Sequence, residues 1–163
     1  LYKTKIDNKL LKNVGHFKRD KNYMNEMKLV KDSDKILINE DYQKILIKNM
    51  NILIDLSNKF GAKPIFITQR TNSWIEKDRK IYSLPYMFTK TNLEINNHYA
   101  YEKFVSDTVM KNCNKKNIFC INLFEKLKFD MNDTYDLTHV NPNGSSKVSN
   151  AIFENLKNYV IFN

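Results

Sequence analysis

Gly61-Ala62-Lys63-Pro64-Ile65-Phe66-Ile67-Thr68-Gln69 is the stretch on which the fold turns. Ile65, Phe66 and Ile67 put β-branched and aromatic side chains on both sides of an extended segment, and a strand that is apolar on both faces belongs to a parallel sheet covered by helices. Pro64 is tolerated at the strand's first position.

Working back from this strand, Tyr42, Ile45, Leu46, Met50, Leu53, Leu56 and Phe60 recur at spacings of three and four. That spacing predicts a helix from Asp41 to Phe60, closed by Gly61 at a position that favours a left-handed residue. Working forward, Thr68 to Trp74 is a polar loop at the strand's C-terminal end, where open parallel sheets bind ligands. Gln69 and Arg70 are its candidate substrate contacts, although the same residues suit an ordinary loop anchored by the sole tryptophan.

Asp78 to Asn96 reads as a loop, either a lid or a packed surface segment, with Tyr82, Pro85, Tyr86 and Phe88 in it. A helix from Tyr99 to Lys111 follows, with Tyr101, Phe104, Val105, Thr108 and Val109 on one stripe. His98, near its start, is a second candidate for chemistry, but no acid stands three residues before it. Ile118-Phe119-Cys120-Ile121 predicts a second buried strand, and Asn122 to Lys128 a short helical turn. The order helix, strand, helix, strand, loop, helix is an α/β alternation in which a right-handed crossover joins the strands. Residues 1–40 form a peripheral segment: Leu10, Leu11 and Val14 suggest a helical turn, and Ile36 to Ile38 fits a strand or a helix approach. Residues 41–163 form the core portion of one domain.

Chemistry enters at Tyr135-Asp136-Leu137-Thr138-His139-Val140-Asn141-Pro142-Asn143-Gly144. A carboxylate that holds one imidazole nitrogen fixes the tautomer and frees the other nitrogen to take a proton, and Asp136 and His139 share one tight loop. Asn141 is a good helix N-cap and Pro142 a good first residue. Gly144 allows the first turn to lie close to another backbone. Val148, Ala151, Ile152, Leu156 and Tyr159 then mark one apolar helix face. An Asp-x-x-His alone is a weak signal, since a histidine before a helix is commonly a capping or surface residue.

The longer pattern, Asp136-x-x-His139-x-x-x-x-Gly144 running into an amphipathic helix, resembles the last signature block of the SGNH/GDSL ester hydrolases. Tyr42 to Gln69 is similar to the helix and fourth strand of that family, and Tyr101 to Leu127 to its last helix, fifth strand and following turn. The resemblance implies a three-layer α/β/α, flavodoxin-like fold with a parallel sheet, of which this chain holds the C-terminal part. It also implies a Ser-His-Asp mechanism on a small-molecule or carbohydrate ester, with no cofactor, in which Asp136 and His139 are catalytic. The family's Gly-Asp-Ser, Gly and Gly-x-Asn-Asp blocks are not found here. Ser33, Ser57, Ser73, Ser83 and Ser106 stand in other contexts, so the nucleophile is expected outside this chain. The alternative is a non-catalytic carbohydrate- or anion-binding domain of the same fold.

Composition narrows the partners. The net charge is +9 and the pI about 9.4, but the lysines are scattered and the only arginines are Arg19, Arg70 and Arg79. A solvated basic surface is expected rather than a nucleic-acid interface. No apolar run reaches membrane-spanning length. Cys113 and Cys120 fit neither a disulfide framework nor a zinc signature, and Cys120 reads as a small buried hydrophobe. Asp136 and His139 alone are too few for a metal site. Any signal peptide is expected upstream of Leu1, so compartment and oligomeric state stay open.

Overall fold

The computed structural model describes residues 23–31, 40–85, 97–130 and 132–161. The turn expected at Leu10, Leu11 and Val14, Arg19, Ser33, the Ile36–Ile38 run and the aromatic residues Tyr86 and Phe88 lie outside them. In chain order the elements are α1 (Tyr23–Glu26), β1 (Lys28–Leu29), α2 (Glu40–Lys59), β2 (Phe66–Ile67), β3 (Trp74–Lys77) and β4 (Lys80–Ser83). They are followed by α3 (His98–Lys116), β5 (Cys120–Ile121), α4 (Leu123–Lys126) and α5 (Pro142–Ile161).

The chain is mixed α/β with a small parallel sheet. β2 pairs with β5 in parallel, Phe66 opposite Cys120 and Ile67 opposite Ile121. β5 separates two apolar clusters because successive side chains leave a strand on opposite faces. Cys120 faces Met50, Val109 and Cys113 of α2 and α3, whereas Ile121 faces Leu123, Leu127 and Phe129, backed by Val148, Ala151, Ile152 and Leu156 of α5. Helices therefore lie on both faces of the strand.

The helix predicted over residues 41–60 is α2, and Gly61 follows it at φ 69° with its N–H on the Asn58 carbonyl, 3.0 Å away. Its apolar residues do not all turn inward. Met50 and Ile54 are buried, with Leu46 packed beside Met50, but Ile45, Ile52, Leu53 and Leu56 lie exposed, as does Phe60 beyond the helix end. α3 covers one side of α2 through Tyr42 against Tyr101 and Phe104. The turn expected after the second strand is α4, and the last helix begins at Pro142 as expected.

Two expectations are corrected. Part of the loop expected between Asp78 and Asn96 is a strand: β3 and β4 form an antiparallel hairpin, and β1 pairs with β4 on its far side. The hairpin turn is Asp78-Arg79, at φ 52° and 60°, the pair of left-handed conformations that a two-residue turn needs to match strand twist. Cys113 and Cys120 are joined in a disulfide, their Cα atoms 6.3 Å apart, because the left-handed Asn117 that ends α3 folds β5 back alongside it.

Candidate active site

The loop bearing Asp136 and His139 is closed at its neck by a backbone bridge between Thr134 and Val140 and by the Tyr135 N–H, which donates to the His139 carbonyl at 2.8 Å. Within that loop one carboxylate organises everything. Oδ1 of Asp136 accepts the backbone N–H groups of Thr138 (2.8 Å) and His139 (2.7 Å), and Oδ2 lies 2.6 Å from Nδ1 of His139. Partial burial works against ionisation of this carboxylate, but the two backbone donors and the imidazole outweigh it, so its pKa falls well below the usual carboxylate range.

A carboxylate on Nδ1 keeps a proton on that nitrogen, so in the neutral ring the lone pair sits on Nε2. The ring is 77% exposed, and among the described residues nothing hydrogen-bonds to Nε2. Among the described residues no serine hydroxyl is hydrogen-bonded to the ring, and those of Ser57, Ser73, Ser83, Ser106 and Ser149 bond elsewhere.

The base of the loop is fixed by the start of α5. Oδ1 of Asn141 accepts the N–H groups of Asn143 (2.9 Å) and Gly144 (3.1 Å), the N-cap expected from its position ahead of Pro142. Asn141 N–H donates to the carbonyl of Asp133 at 2.9 Å, and that same carbonyl lies against Gly144, where a Cβ would collide with it. The buried carboxylate of Asp133 accepts the N–H of Asp130 (2.7 Å) and Nζ of Lys147 (2.6 Å), which ties α5 to the segment before the loop.

The post-strand loop meets this loop through Asn72, a residue the sequence reading did not single out. Asn72 is fully buried; its backbone N–H donates to the Leu137 carbonyl at 2.8 Å, and its Nδ2 donates to the Asp130 carbonyl (2.9 Å) and Thr134 Oγ1 (3.1 Å). The loop after β2 and the loop bearing Asp136 and His139 thus meet directly.

Gln69 and Arg70, however, part company. Gln69 is exposed and lines a cavity of about 280 Å³ with Thr71, His98 and Glu102. Arg70 is buried in a different cavity with Trp74, and neither cavity includes Asp136 or His139. His98 is half-buried at the first residue of α3, and burial lowers its pKa against the opposing charge of Glu102 one turn further on. Glu102 was also missed. It is a buried carboxylate that accepts the N–H of Thr71 (3.2 Å), Oγ of Ser73 (3.2 Å), Nε1 of Trp74 (3.0 Å) and the hydroxyl of Thr71. Its neighbours in sequence are the apolar stripe of α3, which gave no signal for a buried acid.

Among the described residues there is no group of three or more His, Cys, Asp or Glu side chains arranged to hold a metal, and no helix is long and apolar enough to cross a membrane. Comparison of the chain with protein-family models, with curated proteins and with solved structures finds no match.

Proposed function

We propose that this chain carries the acid–base half of an SGNH/GDSL-type serine ester hydrolase, as the C-terminal portion of a three-layer, flavodoxin-like α/β/α fold. The reading rests on one observation: Nδ1 of His139 is held at 2.6 Å by an ionised Asp136 while the ring lies 77% exposed to solvent. In this reading a serine hydroxyl from outside the chain attacks the ester carbonyl. Nε2 of His139 takes the hydroxyl proton and returns it to the departing alcohol, leaving an acyl-enzyme. A water molecule, deprotonated by the same nitrogen, then releases the acid and restores the serine. Asp136 orients the ring and stabilises the imidazolium, and remains a carboxylate throughout.

The substrate class is a small-molecule or carbohydrate ester, and no cofactor takes part. The test is labelling of the natural full-length protein with a fluorophosphonate, which reacts covalently only with an activated serine. Labelling of one serine at a rate that falls sharply in His139→Ala is the expected result. Equal labelling in wild type and variant, or none in either, removes the hydrolase assignment.

A further inference from the structure

Arg70 is 6% exposed, and its guanidinium lies flat over Trp74, with Cζ 3.4 Å from the ring centroid. Nη2 donates to the Trp74 carbonyl at 2.9 Å, but Nε and Nη1 are buried without any acceptor. A buried cation with open donors is costly unless something compensates it. Glu102, the carboxylate whose charge is felt at Arg70, is already occupied by Thr71, Ser73 and the edge of the same indole, and it makes no bond to the guanidinium. Burial consequently pushes the Arg70 pKa down to about 10 despite that neighbouring charge.

Beside this cation is a cavity of about 290 Å³. Trp74, Tyr99 and Phe124 form one wall, with ring centroids 4.8 to 5.6 Å apart, and Phe129 also lines the cavity, its ring centroid 5.8 Å from the Arg70 Cζ. At the rim Lys128 is paired with Glu76 at 3.1 Å, and Glu125 adds a further acid. The walls call for an apolar body, the guanidinium for a negative charge, and the acidic rim disfavours a dianion.

We propose that this cavity binds a small organic carboxylate, its single negative charge received by the guanidinium of Arg70 and its apolar body by Tyr99, Phe124 and Phe129. This site stands apart from the Asp136–His139 pair and does not rest on the hydrolase reading.

Trp74 is the chain's single tryptophan and lines this cavity, so its fluorescence follows binding here without interference from another indole. Titration of the full chain with benzoate is expected to give a saturable change in Trp74 emission, and the neutral isostere benzamide and inorganic phosphate no saturable change. Arg70→Met is expected to weaken the benzoate response by roughly tenfold to a hundredfold, the loss typical of a charge-assisted hydrogen bond. Asp136→Asn is expected to leave it unchanged. No saturable response to benzoate, an equal response to benzamide, or an equal response to phosphate overturns the proposal. These three comparisons use the unsubstituted chain and decide the matter even where Arg70→Met does not fold.

Discussion

The carbonyl oxygen of Asp133 occupies the space that a side chain at Gly144 would take, while accepting the N–H of Asn141 at 2.9 Å. One backbone group thus fixes both the entry to α5 and the foot of the loop that presents His139. Alanine is worth up to about 1 kcal/mol over glycine inside a helix. Here the clash is with backbone and cannot be relieved by a rotamer change, so overpacking of about 1–3 kcal/mol wins. Gly144→Ala is expected to lower the urea midpoint and to shift the amide resonances of Tyr135 to Val140; an unchanged midpoint contradicts this packing.

On the proposed hydrolase reading, removing either member of the imidazole–carboxylate pair is expected to reduce turnover of an aryl acetate by the full-length protein. Loss of a general base costs about 10²- to 10⁴-fold. His139→Ala and Asp136→Asn should both fall in that range with unchanged far-UV circular dichroism, because the ring is solvent-facing. Turnover that survives His139→Ala places the chemistry elsewhere.

Acid should act on the same loop. The folded-state pKa of Asp136 is lowered from 3.8, so its contribution to stability is fully present above the unfolded value and drains away as pH falls through the folded one. Asp130, held down first by the N–H of Asn132 and next by Lys147, titrates in the same direction. Thermal midpoints measured from pH 6 downward are expected to decline less steeply in Asp136→Asn than in wild type. Parallel curves would show that the carboxylate is not coupled to folding.

Asn72→Ala removes two side-chain hydrogen bonds from a fully buried position; the Asp130 carbonyl keeps the Asp133 N–H, and the Thr134 hydroxyl loses one donor. Each lost hydrogen bond costs about 0.5–1.5 kcal/mol. Hydrogen exchange should report the loss first at the Asn72 amide, whose acceptor is Leu137 on the Asp136–His139 loop. Faster exchange confined to regions remote from that loop would refute the tether.

The Cys113–Cys120 bridge closes a short loop between α3 and β5, separated by seven positions. Chain-entropy reasoning assigns such a loop about 2–3 kcal/mol. Dithiothreitol is expected to lower the melting temperature of wild type and to leave the Cys113→Ser/Cys120→Ser variant unmoved. The same melting temperature with and without reductant would exclude the bridge.

What the residues disclosed in advance follows from how local each signal is. Helices α2, α3 and α5 were legible because apolar periodicity and their end residues act within a few positions of one another. Gly144 was legible because only a missing side chain explains its place in a first turn. The β3–β4 hairpin was not, since Asp78-Arg79 adopts the left-handed pair without the glycine that normally announces it. The disulfide escaped because its two sulfurs meet only after Asn117 reverses the chain. The opposite fates of Gln69 and Arg70 depend on how a loop twists after its strand, which adjacency in sequence does not encode. The exposure of the α2 stripe was not legible for a related reason: periodicity tells which residues share a face, not whether a neighbour covers it.

That stripe also governs how the molecule behaves in a tube. Ile45, Ile52, Leu53, Leu56 and Phe60 lie open, as do Ile65 and Ile67 at β2, whose backbone pairs along one side only among the described residues. Greasy surface next to a strand edge that is unpaired among the described residues is what seeds self-association, and lysine on such an edge is how proteins commonly suppress it. Ile67→Lys should therefore raise the concentration at which the chain stays monodisperse by light scattering, despite a net charge of +9 that would ordinarily keep copies apart.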